Sequence, residues 1–309
     1  MNDASLRIEP FLREKGVSES LRKIIFSIAH AGKYVSHAMK NGSQAYSGKQ
    51  NASGEDQLQL DILSDMIFCD HIRSTRKVAI FASEEQEESV SISCVDDEQY
   101  AVAFDPLDGS SLFQANLAVG SIFGIYPGNT FLGQKGENMV AAGYILYGPR
   151  TTCTVATNKG IWEFSENAVG EFVISRENIV VTEDAKFFAP GNLRATSERT
   201  DYMEYVESCM TRQLTLRYSG GMVPDIHMIL TKGSGIFSYP GYSAAPNGKL
   251  RLLYECAPFA FLMEKAGGAA KDENGIRILE KEITELHERT PIFIGSKNEV
   301  EKAVKILKQ

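Results

Sequence analysis

The chain has 309 residues and a mass of 34.1 kDa, enough for one large domain or two ordinary ones. Hydrophobic residues are 43% and charged residues 23%, so a packed core is expected and a disordered class is excluded. With 32 Lys and Arg against 40 Asp and Glu the formal charge is -8, which argues against nucleic acid and anionic membrane surfaces as partners.

The N-terminal residues Met1-Asn-Asp-Ala-Ser5 lack the basic start and apolar run of a signal peptide, and Leu307-Lys-Gln309 is no retention or peroxisomal address. No apolar stretch approaches the ~18 residues that a spanning helix needs, so a cytoplasmic protein is expected. Cys69, Cys94, Cys153, Cys209 and Cys256 are widely spaced with no CxxC pair, which suggests buried thiols rather than a disulfide framework or zinc site.

In chain order, Leu21, Ile24, Ile25, Ile28, Val35 and Ala38 recur at helical spacing behind Ser18, a good N-cap. The spacing predicts a helix over about 19–39. A polar Gly/Ser/Asn stretch from Asn41 to Gly54 follows and reads as a loop long enough to be a lid. A second helix is expected over about 57–73, carrying Asp61 and Asp65 one turn apart. The middle is strand-like, with candidates at Val78–Ala82, Tyr100–Phe104, Gly120–Tyr126, Val140–Tyr147, Thr151–Thr157 and Phe172–Ser175.

Beyond residue 180 the pattern is mixed. Helices are expected at about 200–211 and from Pro224, and strands at Gly235–Tyr239 and Arg251–Glu255. Pro258 opens a helix that Gly267-Gly268 ends, and a strand at Pro291–Ile294 precedes a C-terminal helix, Asn298–Leu307. Residues 1–180 hold 15 Lys/Arg against 23 Asp/Glu, whereas residues 181–309 hold 17 of each. This shift sets the expected domain boundary: 1–180 carrying the carboxylates, 181–309 carrying the matching cations.

The excess acid is concentrated. Between Glu84 and Asp108 there are nine acids and no Lys or Arg. Glu87, Glu88, Asp96, Asp97 and Glu98 read as solvated. Asp105 and Asp108 differ, because they lie in Ala101-Val-Ala-Phe-Asp-Pro-Leu-Asp-Gly-Ser-Ser111, where a buried strand ends in Asp105 and Pro106 stops the ladder. The turn presents two carboxylates and the Leu107 carbonyl together, the all-oxygen set that hard divalent cations such as Mg²⁺ favour. Gly109, Ser110 and Ser111 add small residues with free N–H groups, a natural phosphate cradle. A second acidic pair, Glu84-Glu85, follows another short strand, and two such strand ends in one sheet would share an edge. In Asn247-Gly-Lys-Leu-Arg-Leu-Leu-Tyr-Glu255, strand alternation puts Lys249 and Arg251 on one face, either a solvated surface or a second phosphate clamp, with Arg194 and Arg217-Tyr218 as further cationic candidates. No Walker, dinucleotide, serine-hydrolase or zincin motif occurs, and the five His are scattered.

Phe104-Asp-Pro-Leu-Asp-Gly-Ser-Ser111, Ser83-Glu-Glu85, the 247–255 string and Met263-Glu-Lys-Ala-Gly-Gly268 resemble the sugar-bisphosphatase family of fructose-1,6-bisphosphatase, over essentially the whole chain. Gly148-Pro-Arg-Thr-Thr152, Phe188-Ala-Pro-Gly-Asn-Leu-Arg-Ala-Thr196 and Arg217-Tyr-Ser-Gly-Gly-Met-Val-Pro-Asp225 are closer to its sedoheptulose-1,7-bisphosphatase branch; Gly248-Lys-Leu-Arg-Leu-Leu-Tyr-Glu-Cys256 is more like the fructose branch.

The resemblance implies an α/β fold layered α/β/α/β/α, with two mixed sheets and helices between and outside them. It implies Mg²⁺-dependent hydrolysis of the 1-phosphate of sedoheptulose 1,7-bisphosphate, with fructose 1,6-bisphosphate as the alternative or additional substrate. By position, Glu84, Glu85, Asp105, Asp108, Glu255 and the Leu107 carbonyl would hold two or three Mg²⁺, with Mn²⁺ able to substitute. Asp61 and Glu85 would orient and deprotonate the attacking water, and Asp108 to Ser111 would meet the reacting phosphate. Arg194, Tyr218, Tyr239 and Lys249 would grip the distal phosphate, with Asn192 nearby and Arg251 on the reacting side. Arg217 would reach a neighbouring subunit, implying a homodimer or homotetramer. The mobile-loop acid falls at Glu55 or Asp56. The family's AMP-binding cations fall at Gln99 and Glu137, which removes one charge and reverses the other. An inositol-phosphatase-type enzyme shares Asp-Pro-Leu-Asp-Gly but carries a later Trp-Asp pair, whereas Trp162 here precedes Glu163. A catalytically dead sensor or scaffold protein would have lost some of these carboxylates, and all are present.

Overall fold

The computed structural model describes residues 6–41, 46–50, 56–93 and 98–308. The chain begins with α1 (Ile8–Glu14) and α2 (Glu19–Asn41), the latter opened by Ser18, whose Oγ accepts from Leu21 N at 3.4 Å. Strands β1 (Tyr46–Gln50) and β2 (Asp56–Leu58) follow and pair antiparallel, so part of the polar stretch expected as a loop is a strand. Glu55 lies outside the described residues. Helix α3 (Gln59–Ser74) comes next, then β3 (Val78–Ser83), β4 (Val90–Ser91) and β5 (Tyr100–Asp108). A single helical turn, α4 (Ser110–Phe113), leads to β6 (Val119–Pro127), β7 (Ala141–Tyr147), β8 (Thr151–Thr157), β9 (Gly160–Glu166) and β10 (Phe172–Arg176).

The remainder comprises β11 (Phe187–Pro190), α5 (Thr200–Thr211), β12 (Thr215–Leu216), α6 (Met222–Lys232) and β13 (Ile236–Tyr239). It closes with α7 (Ala257–Lys265), β14 (Ala269–Lys271), β15 (Ile292–Gly295) and α8 (Lys297–Leu307). Strands β9 and β11 had no sequence expectation; both are short, and pairing with neighbouring strands makes them part of the sheets.

Two mixed sheets result. One has eight strands in the order β10-β9-β8-β7-β6-β5-β3-β4, with β3 and β5 parallel and the other pairs antiparallel. The other has five, β12-β11-β13-β15-β14. Alternation along β5 distributes its side chains to opposite faces. Val102 and Phe104 pack with Phe11, Ile24, Ile28 and Phe68 of α1–α3, whereas Ala101 and Ala103 join a core with Ile226 of α6 and Phe259 of α7. That central core also takes Phe237 and Ile294 from the second sheet, whose far face packs Phe188 and Phe293 against Tyr205 and Val300 of α5 and α8. The layers are therefore helix, sheet, helix, sheet, helix, as the resemblance implied. Facing α6 across the central core, Gly120 cannot be larger: a Cβ there would lie 2.4 Å from both Ile145 O and Val223 Cγ1.

Two local expectations are corrected. Pro106 does not end its strand; β5 carries a bulge between Asp105 and Asp108, and pairing resumes at Asp108 with Gly120. Residues 251–255 are not a strand. Leu252–Cys256 forms a π-helical turn running straight into α7, with Cys256 N donating to Arg251 O at 3.0 Å, so the alternation that put Lys249 and Arg251 on a strand face does not apply. Curling the chain lets Glu255 Oε2 accept from Arg251 N at 2.6 Å, a bond that an extended segment could not make.

Among the described residues no helix is long and apolar enough to cross a membrane. Cys69, Cys153, Cys209 and Cys256 are free and buried; Cys94 lies outside the described residues. Glu87, Glu88 and Glu98 are exposed, as expected for solvated acids, and Asp96 and Asp97 fall outside the described residues.

Candidate active site

Strands β3 and β5 are parallel with Ser83 opposite Phe104, so the acidic residues after Ser83 and Phe104 emerge at one sheet edge. There they line a cavity of about 180 Å³ that collects Asp61, Glu84, Glu85, Asp105, Leu107 and Asp108 from the first 180 residues and Lys249, Arg251 and Glu255 from the rest. Gly109, Ser110 and Ser111 at the start of α4 also line it, as do Tyr218 and Tyr239. Gly109 has φ +79°, a left-handed conformation that turns β5 into α4 and that a Cβ would strain.

Each carboxylate is held by a local device. Asp61, in the first turn of α3, accepts from Leu58 N at 2.7 Å through Oδ2. Asp105 Oδ1 accepts from Leu107 N at 2.9 Å, which shapes the bulge. Asp108 Oδ2 accepts from Val223 N at 2.9 Å, so the start of α6 anchors an acid of the other sheet. Arg251 and Glu84 are a buried ion pair, Nη2 to Oε1 2.5 Å, and Arg251 Nη1 lies 3.7 Å from Glu255 Oε2.

Asp105, Asp108 and Glu255 offer oxygens within 4.8 Å of one another. Burial is the main force on all three. It raises Asp105 well above the usual carboxylate range, with further repulsion from Glu84, Asp108 and Glu255. It pushes Asp108 up to about 6, against the pull of the Val223 N–H, and Glu255 up to about 8, against the pull of Arg251. Two buried acids and the half-buried Asp108, which resist sharing a negative charge and stand beside Leu107 in the cavity lining, are a donor set of hard oxygens suited to a divalent cation. The residues present fit the divalent metal that the resemblance implies.

A second recess of about 530 Å³ adjoins the first through Tyr218, Tyr239 and Lys249 and is lined further by Asn192, Leu193, Arg194 and Tyr242. Asn192 is in a left-handed conformation, φ +54°, and its Nδ2 donates to Pro240 O at 3.3 Å. Arg217 lines neither space; it is exposed, donates from Nη1 to Leu216 O at 2.9 Å and lies over the Phe187 ring. Sequence reasoning missed the α6 contribution, Met222 and Val223, and the lining residue Phe237. The signal was Gly220-Gly221 just before the helix, which leaves its first N–H groups uncovered.

Residues 6–177 match the family model "Fructose-1-6-bisphosphatase, N-terminal domain", and residues 181–308 match "Fructose-1-6-bisphosphatase, C-terminal domain". The protein is a phosphoric monoester hydrolase of the sugar-bisphosphatase class. It is 45% identical over 298 residues to the fructose-1,6-bisphosphatase class 1 of Geobacter sulfurreducens, covering 96% of this chain and 94% of that protein. With the class 1 enzyme of Helicobacter hepaticus it shares 42% over 278 residues, 90% of this chain and 96% of that one. Among solved structures, Leishmania major fructose-1,6-bisphosphatase in holo form superposes with a TM-score of 0.91 at 31% identity, covering 99% of this chain and all of that one. A Toxoplasma gondii protein assigned as a sedoheptulose-1,7-bisphosphatase gives 0.90 at 29%, covering 98% of both chains. The chain belongs to the fructose-1,6-bisphosphatase family. Its substrate is accordingly a sugar bisphosphate, and the family depends on divalent metal.

Proposed function

We propose that the protein hydrolyses the 1-phosphate of fructose 1,6-bisphosphate, with Mg²⁺ as the working metal. The observation that carries this choice over sedoheptulose 1,7-bisphosphate is the full-length similarity to proteins named fructose-1,6-bisphosphatase at 45% identity. The sedoheptulose reading, which several sequence segments favour, keeps support from the Toxoplasma gondii neighbour, and activity on both sugars is compatible with the site.

In this reading Glu84, Glu85, Asp105, Asp108, Glu255 and the Leu107 carbonyl hold two or three cations, with Mn²⁺ an acceptable substitute. Bound divalent metal supplies charge neutralisation for these acids and for the oxygens of the reacting phosphate. Asp61 and Glu85 orient the attacking water and take its proton. The N–H groups of Gly109, Ser110 and Ser111 cradle the 1-phosphate beside Asp108, a role supported by their place in the cavity lining. Arg194, Tyr218, Tyr239 and Lys249, with Asn192 beside them, grip the distal phosphate, which the adjoining recess supports. Arg251 acts on the reacting side by holding Glu84 and Glu255, and the loop acid of the family pattern is Glu55, which lies outside the described residues, or Asp56.

The division near residue 180 then separates a domain that carries most of the metal-binding carboxylates from one that binds the sugar phosphate and adds Glu255. Arg217, exposed and outside its own cavity, serves a second copy in a homodimer or homotetramer. The buried free thiols support a cytoplasmic location. Phosphate release from both bisphosphates, with and without Mg²⁺, tests the proposal. Turnover of fructose 1,6-bisphosphate only when Mg²⁺ is present is expected. Turnover without metal, or of the sedoheptulose substrate alone, overturns it.

A further inference from the structure

We propose that His287 is a positioning residue for the acidic cavity, clamping the Glu84–Glu85 turn to the segment that carries Glu255. The inference rests on the metal-binding reading of the cavity above.

Gln86 N donates to Ser83 O at 3.2 Å, closing a four-residue turn with Glu84 and Glu85 at its central positions. The near end of this turn is tied to β5, where Glu84 N donates to Phe104 O at 3.0 Å. The far end is held by His287, whose Nε2 lies 2.9 Å from Gln86 O. A carbonyl only accepts, so the hydrogen-bond pattern puts the ring proton on Nε2. Nδ1, which is buried with no hydrogen-bond partner among the described residues, then carries the lone pair.

The same imidazole packs on Tyr254, the residue before Glu255, with 5.3 Å between ring centroids. Its own segment is laced to the one that carries Arg251: Leu252 N donates to Glu288 O at 2.7 Å, and Thr290 N donates to Leu250 O at 3.0 Å. Gln86 also reaches the other way. Its Nε2 donates to Asp65 Oδ2 at 2.7 Å, one turn beyond Asp61 on α3. Gln86 thus joins three separate carriers of the cavity's acids: Glu85 through the chain, Asp61 through α3, and Glu255 through His287 and Tyr254.

None of His287, Gln86, Asp65 and Tyr254 lines the cavity, so their effect on it is through the acids they hold. Side chains that orient metal ligands from behind matter because small displacements of a ligand weaken the site, typically by about 10–100-fold on removal.

The test compares His287→Phe, which keeps a ring to stack on Tyr254 but loses the donor, with His287→Gln, which keeps an amide N–H at similar reach. Mn²⁺ affinity is read by calorimetry and phosphate release by steady-state kinetics. For His287→Phe we expect Mn²⁺ binding weakened about tenfold and kcat lowered about tenfold, with the sugar KM within about twofold. His287→Gln should recover both within about threefold. A His287→Phe enzyme indistinguishable from wild type overturns the proposal, as does a His287→Gln enzyme equally impaired. Should His287→Phe not fold, His287→Met, which likewise removes the donor to Gln86 O, carries the same expectation. A wild-type protein that neither binds Mn²⁺ nor releases phosphate removes the proposed function and this inference together. A working wild type beside an unaffected variant removes this inference alone.

Discussion

Arg251 Nη2 and Glu84 Oε1 are 2.5 Å apart at a place where both residues are almost fully buried, 4% and 6% exposed. The pair joins an acid that follows β3 of the eight-stranded sheet to the start of the π-helical turn that carries Glu255. Its worth lies less in attraction than in what its loss would leave behind, a buried carboxylate beside three others.

Arg251→Met should therefore destabilise the metal-free protein by about 3–5 kcal/mol, the usual result of removing one partner of a buried pair. Divalent metal should restore part of that loss, because it supplies positive charge to the same acids. Denaturant unfolding with and without Mg²⁺ measures both, and an unchanged midpoint in metal-free buffer would show that Glu84 finds another partner.

The raised acids set the pH response of the metal-free protein. Asp108 at about 6 and Glu255 at about 8 bind protons more tightly in the folded state than in the unfolded chain. Their contribution is fully present below the ordinary carboxylate range and is lost as pH rises through about 8. Without metal, stability should fall between about pH 4 and pH 8; with saturating Mg²⁺ the slope should flatten or reverse, since the cation replaces the protons. Melting temperatures across that range, in chelator and in Mg²⁺, check the sign.

Glu85→Gln should lower kcat by at least ~10² while leaving the fold nearly intact. The residue is half-buried at the cavity edge and keeps its turn through Glu85 N, which donates to Ser83 Oγ at 3.3 Å. A near-normal kcat with an unchanged circular dichroism spectrum would end its assignment as a catalytic residue.

AMP should be a poor inhibitor. The two positions where the family resemblance puts AMP-binding cations hold Gln99 and Glu137, and Glu137 is engaged with Arg277 at 3.1 Å. Losing two favourable contacts at a screened ~1 kcal/mol each costs over tenfold in affinity, before the added repulsion. Titration with AMP at saturating Mg²⁺ decides it: a low-micromolar, cooperative response would show another nucleotide site.

The string from Ala101 to Ser111 was sufficient by itself to indicate an oxygen-rich metal and phosphate site. Its chemistry is local: a buried strand, two acids three residues apart and a glycine turn are all carried by eleven neighbouring residues. The amphipathic pattern behind Ser18 likewise determined α2, because helix periodicity and capping are short-range. Tertiary structure alone decided which groups meet those acids. Alternation suggested a strand with paired cations at Lys249 and Arg251; burial of Arg251 against Glu84 instead favoured a π-helical turn that brings Glu255 back to Arg251. The Val223 N–H on Asp108 and the His287 ring on the Gln86 carbonyl, partners 115 and 201 residues apart, leave no periodic trace in the sequence. A buried polar group must find a partner to offset its lost hydration, and which partner it finds depends on how the two sheets and the helices between them pack.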